Sequence, residues 1–298
     1  MKKVFYSTSI ILLIIHTIGY NQKPYPCGTA PQKIEWLKEY QKNPSKFKSN
    51  TDSLLLVPMT IHSVGSDNGS SHFDTDRLLD AFCTLNEDFA EAGIQYYISD
   101  DIRLINNSSI NNHQDLFFGG RFMNDVADPT TLNTFFVSDP AGNCGYNIVW
   151  SHMMVNKGCA NRTDHTWAHE VGHHFSIQHP FLGWEGGQTT DGSVPPDFSE
   201  PAPEFVTYDF TPFFYENGED TTIIDTAFVE LVDGSNCHFA GDGFCDTKPD
   251  YLSARWTCNN DGESNQIQTD PSGETFRSEG TWIMGLSLIH ISEPTRPY

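Results

Sequence analysis

The eleven residues His169–His179, HEVGHHFSIQH, constrain this chain more than any other stretch. His169 and His173 are four apart, so on an α-helix they stand one turn apart on the same face with their rings converging. Neutral imidazole is a good zinc ligand, and Glu170, beside the first histidine, can reach a water at zinc's open position. His179 follows the second histidine by six and cannot lie on the same straight helix. A sharp turn after Phe175 swings it back as a third ligand. Three protein ligands leave one tetrahedral position open, which suits a catalytic rather than a structural zinc. The competing reading is a helix that is merely histidine-rich. A bare HExxH arises by chance, but a third histidine at this offset favours the metal.

The pattern HExxHxxGxxH marks the metzincin zinc peptidases, and the surrounding residues resemble their pappalysin (cytophagalysin) branch. His179–Gly187, HPFLGWEGG, is similar to that branch's His-Thr-Phe…Gly-Gly segment. Asn236–Asp250, NCHFAGDGFCDTKPD, is similar to its Cys…Gly-Asp-Gly…Cys-Asp-Thr-Pro-Pro-Asp signature, and Leu85–Ile98 to its helix-to-strand segment. One departure stands out: Ser176 occupies the place of the motif's glycine. That glycine lets the helix end in a left-handed turn, which costs another residue about 1 kcal/mol or somewhat more.

The resemblance implies an α+β fold, a metzincin-like catalytic domain. Its parts are a mixed twisted sheet, a zinc-binding active-site helix and a loop-rich C-terminal subdomain. It implies an endopeptidase with protein or peptide substrates, with Glu170 as general base and zinc on His169, His173 and His179. It also implies a methionine beneath the metal in a tight Asn-x-Met-x-Tyr turn, a place that Met284 takes imperfectly within Thr281–Gly285.

Lys2, Lys3 and the apolar run Ile10–Ile15 read as a signal peptide over residues 1–20. The run is well short of the roughly 20 apolar residues that span a bilayer, so we expect a secreted chain with no membrane span. Residues 21–50 are polar and lysine-rich with one helical stretch near Ile34–Tyr40, a short prosegment. The protease domain then occupies 51–285. Leu286–Arg296 reads LSLIHISEPTR, the translation of a common transposase sequencing adapter. Residues 286–298 are therefore expected to be read-through, with the domain truncated just after Met284.

Seven cysteines in an exported chain predict disulfides. Six fall within 51–285, and their connectivity is not readable from sequence. Cys144 and Cys159 suit a local bridge, and two of Cys237, Cys245 and Cys258 suit another around the Gly-Asp-Gly segment. Cys27 stands apart, ahead of the domain. A lone thiolate there can occupy the fourth zinc position and hold the enzyme latent, as prosegment cysteines do in several metzincins. The alternatives are an unpaired cysteine, an intermolecularly paired one, or one paired within a different disulfide framework.

The formal net charge is −22, from 17 Lys and Arg against 39 Asp and Glu. Between Arg162 and Lys248 there is no Lys or Arg, while sixteen residues are Asp or Glu. Acidic surfaces also serve solubility, but a negative cleft favours basic peptides and excludes nucleic acid as a partner. Asp242, Asp246 and Asp250, set around glycines, suit a calcium ion; ordinary turn chemistry is the alternative.

Leu54–Val64 alternates as a strand does, and Leu78, Phe82, Leu85 and Phe89 recur at helical spacing. Ile94–Ser99, Thr131–Val137 and Tyr146–Trp150 read as further strands. Thr131–Val137 is expected at the sheet edge, where it would hold an extended substrate. The zinc helix is expected to open at Thr163 or Asp164 as its cap. Two other readings compete: a non-catalytic, disulfide-rich secreted binding or adhesion domain that retains a zinc helix, and a zinc peptidase of another kind with a downstream glutamate as third ligand. Glu170 speaks against the first, since a purely structural site has no use for it, and His179 against the second.

Overall fold

The computed structural model describes residues 25–29, 35–46, 54–148, 152–184, 199–210, 223–245, 247–251 and 266–277. In chain order these begin with β1 (Tyr25–Cys27), α1 (Glu35–Lys42), β2 (Leu55–Gly65), α2 (Thr75–Asp88), β3 (Ile94–Ile98) and β4 (Arg103–Asn106). There follow α3 (Ser108–Asn111), β5 (Asn112–His113), α4 (Leu116–Val126), β6 (Leu132–Val137), β7 (Asp139–Pro140), β8 (Asn143–Ile148), β9 (His152–Asn156) and α5 (Thr166–His174). Beyond them lie β10 (Phe205–Phe210), β11 (Ile223–Phe228), β12 (Gln268–Thr269) and β13 (Thr275–Phe276).

Seven of these strands form one mixed sheet in the order β1-β8-β9-β6-β2-β3, with β4 also on β2. Strands β9, β6, β2, β3 and β4 pair in parallel, while β8 runs antiparallel to β9. Parallel neighbours need crossover connections. Helix α2 supplies the one from β2 to β3, and α4 lies between β4 and β6. Both open on aspartate caps: Asp74 accepts the N–H of Arg77, and Asp115 those of Phe117 and Phe118.

Period-two alternation divides the core between the two faces of the sheet. Phe136, Met59, Ile61, Met153 and Val155 meet Leu78 and Leu85 of α2 and Trp167 and Val171 of α5. Phe135, Val64, Val137, Tyr146 and Met154 pack instead with Ile110 and Met123, from α3 and α4. Residues 59–65 of β2 are all buried, as expected of a strand covered on both sides. Lys157 is buried just past β9, and its ammonium donates to the carbonyls of Val64 and Ser71 and to Asn111 Oδ1. One side chain thereby joins β2, its following loop and α3.

The edge strand is not where the sequence placed it. Every residue of β6 is buried, and the strand lies between β9 and β2 in the sheet interior. The unbroken apolar run Phe135–Val137 suits an interior strand, since an edge normally carries polar breaks. The outer position belongs to β8, onto which β1 adds in parallel, Tyr25 opposite Asn143 and Cys27 opposite Gly145. The predicted strand Tyr146–Trp150 is the end of β8; residues 149–151 lie outside the described residues.

The later part of the chain is loop-rich. The β10–β11 ribbon packs Val206 and Ala227 with Val229, Trp184 and Tyr251 in a small separate core. Tyr251 stacks on Trp184 at 5.1 Å and donates its hydroxyl to the Glu230 carbonyl at 2.6 Å. Tyr40 of α1 lies 6.3 Å from Phe244 of this region. No helix among the described residues is long and apolar enough to cross a membrane.

Candidate metal centre

Helix α5 carries the first two histidines, and packing fixes its rotation. Trp167 donates its indole N–H to Thr134 Oγ1 at 2.9 Å and meets Phe136 edge-on at 4.8 Å. Residues 169, 170 and 173 are thereby turned toward β8. The helix starts later than expected, at Thr166, with His165 in the cap position making no side-chain cap bond. Asp164 still serves the helix start by accepting the N–H of Thr166, whereas Thr163 turns its hydroxyl to Asn161.

The helix ends in a Schellman turn. The N–H of Ser176 bonds to the His173 carbonyl at 2.8 Å, and that of Ile177 to the Gly172 carbonyl at 3.1 Å. Ser176 takes φ 68°, the left-handed conformation that the missing glycine would have taken freely. This reversal brings His179 back toward the helix. Its ring centroid lies 5.4 Å from that of His169 and 4.7 Å from that of His173.

The donor atoms of His169, His173, His179 and Cys27 all lie within 4.8 Å of one another. His169 Nε2 and His173 Nε2 face each other at 3.0 Å, and Cys27 Sγ sits 3.4 Å from His173 Nε2. His173 Nδ1–H donates to the Ile177 carbonyl at 2.8 Å, so its Nε2 presents a lone pair. Burial and the neighbouring imidazoles hold His169 well below its usual range, and His173 is driven down to about 3. Without a metal His169 Nε2–H can donate to the His173 Nε2 lone pair; with one, these nitrogens, His179 and the Cys27 sulfur are close enough to share a single cation. A three-nitrogen set with a sulfur at the fourth side suits zinc.

Glu170 is fully buried against β8. A Cβ on Gly145 would lie 2.7 Å from Glu170 Oε1, so glycine is what lets the carboxylate rest there. Burial pushes Glu170 up to about 8, against the lowering effect of hydrogen bonds from Thr29 and Cys27. The Thr29 hydroxyl donates to Glu170 Oε2 at 3.0 Å and accepts the Asn147 N–H at 2.7 Å. Gly28 N–H meets the Gly145 carbonyl at 2.8 Å. Burial, and the Glu170 carboxylate beside it, raise the Cys27 thiol well above its usual range.

Thr29, Gly145 and Asn147 were not singled out from the sequence. The signal available was the small, polar run Cys27-Gly28-Thr29, whose glycine marks a close backbone approach. Other expected features fare differently. Met284 and Asp246 lie outside the described residues. Asp242 and Asp250 are buried, yet neither joins a metal-donor cluster among the described residues. Asp242 accepts the N–H of Phe244 and the hydroxyl of Thr247, which is the turn chemistry weighed against calcium. Calcium is therefore without support here. Disulfides join Cys144 to Cys159 and Cys237 to Cys245, while Cys83 is an exposed thiol.

No known family's sequence model matches the chain. An extracellular metalloprotease of Colletotrichum graminicola is 27% identical over 196 residues, which cover 56% of this chain and 68% of that protein. At this identity the likeness supports a metalloprotease family and selects no branch within it. The mixed sheet with its crossover helices is compatible with such a domain.

Proposed function

We propose that the chain is a secreted zinc endopeptidase of the metzincin type, held latent by its own N-terminal segment. The observation that carries the proposal is the convergence of His169, His173 and His179 beside buried Glu170. The likeness to an extracellular metalloprotease supports it, and the two disulfides agree with an exported protein.

Zinc on the three histidines would supply a Lewis acid that polarises the scissile carbonyl and makes a bound water acidic near neutral pH. Glu170, once uncovered and ionised, would be the group that takes up a proton from such a water and passes it to the leaving amine. The outer strand β8 offers the Gly145 carbonyl and the Asn147 N–H to an extended substrate main chain by β-augmentation. In this state both groups are covered, by Gly28 N–H and the Thr29 hydroxyl. Cys27 Sγ, 3.4 Å from His173 Nε2, stands where it can fill the metal's remaining position. By the family resemblance Met284 forms the floor beneath the metal. The acidic window between Arg162 and Lys248 favours substrates with basic residues near the scissile bond.

Metal analysis and turnover of three proteins test the proposal. Once released from residues 25–29 by a cut after them, the parent should hold one zinc and lose activity to a chelator, and the variants are compared in the same released form. His179→Ala should lose most of its zinc. Glu170→Gln should keep zinc while turnover falls about 100-fold or more, since an amide cannot take the proton. Full zinc and activity in His179→Ala would overturn the ligand set, and unchanged turnover in Glu170→Gln would remove the base.

A further inference from the structure

We propose that Thr29 is a second latch, which occupies Glu170 and the outer strand independently of the thiol at the metal site. This rests on the latency assigned to Cys27, and the two can fail separately.

Three consecutive residues cover the cleft between them, and Cys27 and Thr29 both reach Glu170. The Cys27 thiol lies against His173, the Gly28 N–H takes the Gly145 carbonyl, and the Thr29 hydroxyl bridges Glu170 Oε2 and the Asn147 N–H. A hydroxyl has one proton to give, and here it goes to Glu170. Its oxygen fills the N–H that a substrate carbonyl would need on β8. The Thr29 N–H is turned onto Cys27 Sγ at 3.3 Å, so the two side chains are held by one tight turn of backbone. A Cβ at Gly28 would lie 2.8 Å from the Asn143 side chain, which pins the connecting residue against the strand.

Removing the thiol from the metal site therefore does not free the base. Glu170 Oε2 keeps its buried hydroxyl partner while Oε1 has none among the described residues, so the latch acts through Oε2 and through the covered Asn147 N–H. Full release needs both contacts to break, as happens when residues 25–29 leave β8 together. Thr29→Val keeps the side chain's shape and removes the donor, while Thr29→Ser keeps the hydroxyl.

The test uses the full, uncleaved chain in five forms: parent, Cys27→Ser, Thr29→Val, Thr29→Ser and Cys27→Ser/Thr29→Val. In metal-free protein, hydrogen exchange at the Asn147 amide should quicken about 10-fold or more in Thr29→Val, and stay near the parent rate in Thr29→Ser and Cys27→Ser. With zinc, the double variant should cleave peptide about 10-fold faster than Cys27→Ser alone. Asn147 exchange equally slow in Thr29→Val and parent would overturn the proposal, as would equal activity in the double variant and Cys27→Ser. Faster exchange and full activity in Thr29→Val alone, with Cys27→Ser still silent, would sink the thiol's role and leave Thr29 as the latch. Thermal melts of all five separate loss of folding from loss of the contact.

Discussion

Ser176 holds φ 68° at the one point where the chain must reverse to bring His179 back to the helix. Replacing it with glycine removes the clash of Cβ with the backbone, and denaturant unfolding should show a gain of about 1 kcal/mol. Zinc content should not change, because the turn's two backbone bonds are already made. An unchanged or lower midpoint would mean that the buried serine's own contacts offset the strain. At this scale the sequence was read closely: the spacing of the three histidines asked for a sharp turn after Phe175, and the resemblance to the metzincin motif implied a left-handed residue at 176. The opening of the helix was legible only in part. Capping preference points to Thr163 or Asp164, yet the backbone of His165 starts the helix and Asp164 reaches Thr166 from one residue further out.

Strands and helices were legible where their periodicity was clean. Leucine and phenylalanine spacing gave α2, and the alternation of Leu54–Val64 gave β2. Strand β6 was found but misplaced, because an extended apolar segment shows its length and not its neighbours. Strand β8, Asn143-Cys-Gly-Tyr-Asn-Ile148, breaks its apolar pattern with just the residues an outer strand needs for its site. Helix α4 went unseen since Gly119 and Gly120 in its middle weaken the local preference for helix. Gly145 tests the importance of β8. In Gly145→Ala the new methyl must displace Glu170, so turnover of the released enzyme should drop about 10- to 100-fold while zinc remains. Parent-like turnover would show that the carboxylate has room to move without cost.

For the molecule as a whole, one contribution to acid stability comes from a histidine away from the metal site. His62 is fully buried, stacks on Phe135 at 4.0 Å and donates Nε2–H to Asn133 Oδ1 at 3.0 Å. Its Nδ1 has no hydrogen-bond partner, so a second proton there would be buried without an acceptor. Burial chiefly, with Arg103 and His152 adding repulsion, holds the ring down to about 4. The unfolded chain therefore binds a proton near pH 6.5 that the folded one refuses until about pH 4. Stability from this group is present above pH 6.5 and falls with pH across that window, by roughly 3 kcal/mol in all. Melting curves from pH 7 to pH 4 should be flatter for His62→Phe than for the parent, and parallel curves would rule this histidine out. Such a site was invisible in the sequence, where His62 is one of twelve histidines and nothing marks which neighbours will enclose it. The parallel attachment of β1 to β8 has a consequence of another kind. A blocking segment joined to its target through residues 30–54 acts at an effective concentration on the order of millimolar, whatever the protein concentration outside. Dilution cannot wake such a molecule. One cut in that tether turns the blocker into a separate peptide, after which every dilution favours its departure.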